Sequence, residues 1–165
     1  MDWESLDSVK KGNVGEQIVK SSLEKRGFVV YKCITKKAHA FDFLAVKNKK
    51  IFIVAEIKSK ARLNNFRATG IDVRHCNEYL TVMKEMKTDI ILFFVDEHPK
   101  EERVYCRKLI KLMEKKVISG IEYPNTKIVK NIILFSLEDM VEVKKLDPEE
   151  LRILKLYSHR NYQYN

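Results

Sequence analysis

Residues 41–58 read FDFLAVKNKKIFIVAEIK, two apolar runs joined by the polar link Lys47–Lys50. Each run has strand length and is rich in Val, Ile and Phe. An antiparallel hairpin centred on Lys49 sets Val46 against Phe52, Leu44 against Val54 and Asp42 against Glu56. Side chains alternate along a strand, so all six lie on one face, and so does Lys58, two residues past Glu56. Directly opposed side chains have Cβ atoms about 4.5–5.5 Å apart. Two carboxylates so placed repel each other, and a hard divalent cation between them removes the conflict.

The flanking sequence extends this hairpin into an α/β pattern. Residues 13–26 read as a helix, with Asn13 as N-cap, Glu16 at the box position and Gly27 as the stop. Leu6 and Val9 allow an earlier turn. Residues 28–34 read as a strand. The polar stretch 59–70 reads as a long substrate loop. Asp72 caps a helix to about Lys87, and the unbroken apolar run 90–95 reads as a strand buried on both faces. Beyond it come a short strand at 103–106, a helix at 108–116, a strand at 128–135 and a short helix capped by Ser136. A last helix opens at Asp147-Pro148-Glu149-Glu150. The pattern predicts one α/β domain over residues 1–165, with an α-β-β-β-α-β core at about 13–95 and a C-terminal α/β extension at about 100–165.

Composition narrows the function. The chain of 165 residues carries 32 Lys and Arg against 23 Asp and Glu, a formal charge of +9. Residues 29–60 hold eight lysines and only two acids, Asp42 and Glu56, so most of the excess sits in a fifth of the chain. A polyanionic partner is expected, with Lys36, Lys37, Lys47, Lys49 and Lys50 flanking the two acids. The longest apolar run is six residues, well short of the roughly 20 a membrane-spanning helix needs. Cys33, Cys76 and Cys106 form no CxxC pair, so neither a zinc finger nor a disulfide framework is indicated. The expectation is a cytoplasmic protein with no membrane partner. No Walker loop, GxGxxG or GxSxG occurs.

The chemistry that uses these parts is metal-dependent hydrolysis of a phosphodiester. Asp42 and Glu56 suit Mg²⁺ or Mn²⁺. Such an ion activates water and neutralises charge on a phosphate. A lysine on the same face holds the water or stabilises the transition state. Asp42, thirteen intervening residues and then Glu56-Ile57-Lys58 resemble the PD-(D/E)xK nuclease superfamily. Gly15-Glu16 resembles the acid-bearing first helix of that superfamily. Phe41 stands where its proline is usually written. The chain is similar to the compact Holliday-junction-resolvase-like and VRR-NUC-like branches. The resemblance covers about half the chain. It implies a restriction-endonuclease-like fold and a Mg²⁺-dependent endonuclease acting on DNA, branched or structured DNA included. By the same resemblance Asp42, Glu56 and the Ile57 carbonyl are metal ligands, Lys58 and Glu16 join them as catalytic residues, and homodimers are expected. Two other readings stay open: a non-catalytic nucleic-acid-binding module on the same fold, and a nuclease acting on RNA.

Other residues are candidates for nucleic-acid contact. Lys36, Lys37 and Lys60 lie in the basic region. Arg74 and His75 open the helix after the loop, where backbone N–H groups favour phosphate. His75 and Tyr79 keep the spacing of the Gln-x-x-x-Tyr carried by exonuclease-like members, with His in place of Gln. Glu16 has a second reading as the capping-box partner of Asn13.

Overall fold

The computed structural model describes residues 6–33, 41–59, 67–118, 121–123 and 126–158. A six-stranded sheet forms the centre, built from β1 (Val29–Lys32), β2 (Phe43–Lys47), β3 (Ile51–Ser59), β5 (Ile90–Asp96), β6 (Arg103–Lys108) and β11 (Val141–Lys145), in that spatial order. Only the β3–β5 pair is parallel, and the others are antiparallel. The hairpin register is as expected, with Val46 opposite Phe52 and Leu44 opposite Val54.

Alternation along β3 and β5 divides the core into two layers. Ala55, Ile57, Phe93 and Val95 face α1 (Asp7–Lys25) together with Phe43 and Ala45 of β2. Val54, Leu92 and Phe94 face the other way, towards Cys76 and Tyr79 of α2 (Val73–Met86). Burial on both faces explains why residues 90–95 are apolar without alternation. Asp72 caps α2 by accepting the Arg74 N–H at 2.8 Å, and Asp147 forms a full capping box with Glu150 at the start of α4 (Pro148–Leu156).

Several expectations are corrected. The first helix starts at Asp7, so Asn13 is interior to it and Glu16 is no capping-box partner. Gly27 does stop it, at φ +83°. The stretch 59–70 is not all loop, because Ala68–Asp72 is a strand, β4. Residues 128–135 are not one strand. Lys130 and Asn131 both have positive φ and turn the chain between β9 (Lys127–Val129) and β10 (Ile132–Ser136), as a two-residue hairpin requires. With β4 they form a small sheet in the order β4-β10-β9. The helix expected at 108–116 is only α3 (Leu109–Met113), followed by the two-stranded pair β7 (Lys116–Ile118) and β8 (Ile121–Tyr123). A 3₁₀ turn at Leu137–Asp139 replaces the helix after Ser136, and β11 then adds an outer strand to the main sheet.

Close packing fixes α1 on the sheet. A Cβ on Gly15 would stand 2.8 Å from the Ser59 Cβ, so only glycine lets α1 approach β3 this closely. Three residues earlier in the same helix, Gly12 has nothing within 4 Å of such a Cβ. Lys11 ties α1 to the end of α4 through Glu97 and Ser158. Gly12→Ala should therefore raise stability by up to about 1 kcal/mol, the helix-propensity gain. Gly15→Ala should lower it, because overpacking costs about 1–3 kcal/mol and outweighs that gain. Urea unfolding of the two variants checks this, and equal shifts would show that α1 does not depend on the contact.

Candidate active site

Glu56 lies in the second half of β3 and is buried at 5% exposure. Two donors meet on its Oε1: Lys58 Nζ at 2.5 Å and the Tyr79 hydroxyl at 2.7 Å. Lys58 follows Glu56 by two residues on the same strand face, and Tyr79 comes down from α2. The Lys58 ammonium also lies 5.7 Å from the Tyr79 ring centroid, within cation–π range. One carboxylate oxygen is thus fully engaged, and Oε2 is the oxygen left for another partner.

Asp42 sits just before β2 and is buried at 8% exposure. It does not simply continue the ladder opposite Glu56. Phe43 pairs with Ala55, and the Asp42 N–H also donates to the Ala55 carbonyl at 3.0 Å. The Asp42 carbonyl still faces β1, accepting the Cys33 N–H. Two residues therefore address one on β3, a bulge-like kink that re-aims the side chain. The Asp42 Oδ2 accepts the Ile57 N–H at 2.7 Å. Burial, and next the Glu56 charge, push the Asp42 carboxyl up to about 7, against the lowering effect of that hydrogen bond. Glu16 adds to the upward push and Lys58 opposes it.

Glu16 reaches the site from α1. Its Oε2 is buried and makes no hydrogen bond among the described residues, although Lys32 of β1 approaches to 2.7 Å as an ion pair. The Ser59 hydroxyl, beneath Gly15, is likewise buried without a hydrogen-bond partner. Among the described residues, no three His, Cys, Asp or Glu side chains converge as metal ligands. The candidate ligands are the pair Asp42 and Glu56, with the Ile57 main chain between them.

The structure sorts the remaining candidates. Tyr79 is buried at 2% exposure and holds Glu56, so it has no surface for nucleic acid. Burial and the Glu56 carboxylate raise its hydroxyl well above the usual value, which keeps it a donor. His75 stands one turn before it with ring centroids 6.4 Å apart, and exposed Arg74 lies beside His75, with Nη2 and Nε2 3.3 Å apart. Both open α2, as expected. Lys36, Lys37 and Lys60 lie outside the described residues. Lys47, Lys49 and Lys50 do not flank the acids. They stand at the turn end of the hairpin, on the order of 17 Å along β3 from Glu56 at the usual strand rise. Sequence reasoning missed the Tyr79–Glu56 bond. The His75–Tyr79 spacing was the available signal, because it puts both residues on the sheet-facing side of α2.

No family model matches the chain, and no curated protein does. Among solved structures it is similar to Hjc, a Holliday junction resolvase from the archaeal hyperthermophile Archaeoglobus fulgidus. The identity is 9%, the TM-score is 0.52, and the match covers 77% of this chain and 95% of that one. The chain therefore has the restriction-endonuclease-like fold, a mixed central sheet flanked by helices. The match extends well beyond the half of the chain spanned by the sequence motif.

The raised Asp42 carboxyl has a thermodynamic consequence. The folded state binds this proton more tightly than the unfolded chain, whose value is the ordinary 3.8. The contribution to stability is complete below that value and is lost as pH rises through about 7. Asp42→Asn removes the charge and keeps an oxygen for the Ile57 N–H. It should raise the metal-free melting temperature at pH 8 and leave it nearly unchanged at pH 4. Tyr79→Phe should lower stability by about 1–3 kcal/mol, because Glu56 loses a buried donor. Thermal melts in EDTA across pH test both; an Asn variant equally shifted at both pH values would contradict the burial of an anionic Asp42.

Proposed function

We propose that this protein is a divalent-metal-dependent nuclease that hydrolyses phosphodiester bonds in DNA, with branched or structured DNA as substrate. The single observation that carries this reading is the pair of buried carboxylates, Asp42 and Glu56, beside an ion-paired Lys58 at one end of β3. The fold shared with a Holliday junction resolvase supports it.

The residues fit a hard cation. Both carboxylates are oxygen donors, and their mutual repulsion is of the kind a divalent ion relieves. Asp42, Glu56 and the Ile57 carbonyl would hold Mg²⁺ or Mn²⁺. When bound, such an ion supplies a polarised water and neutralises charge on the scissile phosphate. Lys58 is anchored on Glu56, and on this reading its ammonium would orient the attacking water and stabilise the charge that develops on the phosphate. Tyr79 positions Glu56 and does no chemistry itself. Glu16, ion-paired with Lys32 through Oε2, provides a further acceptor for water at the same end of the sheet. Work as a homodimer is part of the same reading.

A cleavage panel tests the proposal: linear duplex, flapped, single-stranded and four-way DNA, with matched RNA, each in Mg²⁺, Mn²⁺ and EDTA. Cleavage of branched DNA with metal and none in EDTA is the expected result. Cleavage confined to RNA would correct the substrate, and no cleavage of any substrate would remove the nuclease reading. Lys58→Ala should abolish cleavage and leave nucleic-acid affinity within a few fold, because one phosphate contact among several carries little of the total. A variant that cleaves at the parent rate would show that Lys58 has another role.

A further inference from the structure

The outer face of the small sheet is an apolar cleft of about 570 Å³. Ile133 and Phe135 of β10 point into the core, so Ile132, Leu134 and Ser136 point away from it. The ladders set Ala68 and Gly70 of β4 on one side of them, and Lys127 and Val129 of β9 on the other. Gly70 makes the floor possible: a Cβ there would stand 2.6 Å from the Ile132 Cγ2 and 2.7 Å from the Ile133 carbonyl oxygen. Without one, Ile132 and Leu134 lie flat over β4.

The cleft rim is cationic. Arg67, Lys127 and Lys130 line it, against Glu138 as its one acid. Arg67 is already held by Glu101, but Lys127 and Lys130 are in no ion pair among the described residues. The strand ends beside the Lys130-Asn131 turn are apolar, with Val129 41% and Ile132 36% exposed. An aliphatic floor under unpaired cations suits a ligand with flat apolar faces and negative charge at its edge.

The hairpin that floors the cleft also rests on the start of α2. Ile132 is paired with Asp72, the cap of α2, and the Asn131 carbonyl accepts the Val73 N–H at 2.8 Å. His75 lies two residues further along α2 and Tyr79 one turn beyond His75, and Tyr79 holds Glu56. The hairpin tip is therefore braced on the helix that builds the site.

We propose that this cleft receives unpaired bases of the nucleic-acid strand whose backbone enters the candidate active site. Val129, Ile132 and Leu134 lie against the base faces, and Lys127 and Lys130 meet the flanking phosphates. Aliphatic side chains act in this way where proteins unstack bases, and lysines supply the phosphate contacts. The inference rests on the nuclease reading and deepens it, because it gives the protein a device that distinguishes unpaired from paired strands.

The test measures binding of the 165-residue chain in EDTA, where no cleavage occurs. The probes are a plain duplex and the same duplex with a single-stranded tail carrying 2-aminopurine. The parent should raise the 2-aminopurine fluorescence, since aliphatic contacts unstack the base without quenching it. Val129→Ser combined with Ile132→Ser should remove that rise and weaken binding of the tailed probe about tenfold, on the scale of the aliphatic burial lost. Duplex binding should stay within twofold. Lys127→Ala combined with Lys130→Ala, a surface change safe for folding, should reduce the salt slope for the tailed probe by roughly 1.4. Equal losses on both probes, or no loss from either variant, would overturn the inference while leaving the nuclease reading intact. A change in oligomeric state without a change in tail binding would assign the cleft to a second copy of the chain and overturn it too. A parent that binds neither probe would defeat both readings.

Discussion

Two carboxylates buried side by side at one end of the central sheet are the constraint on which the rest of this structure depends. An uncompensated buried charge costs several kcal/mol, and a second beside it costs more. Asp42 shows the strain of this arrangement in its carboxyl, pushed up to about 7 by burial and by Glu56. A fold selected for stability alone would place leucine or valine at these positions, as it does at Val54 and Leu92 nearby. The surroundings instead supply partners one by one: the Ile57 N–H for Asp42, and Lys58 with Tyr79 for Glu56. These partners leave an electrostatic conflict between the two acids, and that conflict suits a site that takes a cation.

The scaffold brings these groups together from three directions. Strand β3 carries Glu56 and Lys58 and is held on both sides, by antiparallel β2 and parallel β5. Helix α2 delivers Tyr79 from one face of the sheet. Helix α1 delivers Glu16 from the other, at a distance set by Gly15 against Ser59. Sites built on regular elements in this way keep their geometry better than sites carried on loops. The second half of the chain extends the same sheet through β6 and β11 and contributes β9 and β10 beside α2.

Much of this was legible in the sequence, and the failures have physical reasons. The β2–β3 register could be read because two short apolar runs flank one polar link, and centring the hairpin on that link fixes the pairing. The caps of α2 and α4 were legible because Asp at an N-cap makes a local, sequence-fixed hydrogen bond. The kink at Asp42 was not legible, because a bulge depends on which strand its N–H faces and leaves no compositional trace. Strand β4 was missed because Ala68, Thr69 and Gly70 carry almost no strand signal, and their pairing with β10 is made across more than 60 residues of chain. The β9–β10 turn was hidden because its residues at positive φ are Lys130 and Asn131, with no glycine to announce them. The basic residues misled for a related reason: Lys47, Lys49 and Lys50 are near Asp42 and Glu56 in sequence, but a hairpin puts its turn at the far end from its open strand ends.

The central claim is that Asp42 and Glu56 together hold a divalent cation. A titration of Mn²⁺ followed by the electron paramagnetic resonance of the free ion reads this without reference to any substrate. The account predicts one bound Mn²⁺ per chain for the parent at pH 8, with affinity lost in Asp42→Asn and in Glu56→Gln, and weakened at pH 5.5 where the Asp42 carboxyl holds its proton. Binding by both variants equal to the parent, or no binding by the parent at millimolar Mn²⁺, would contradict it.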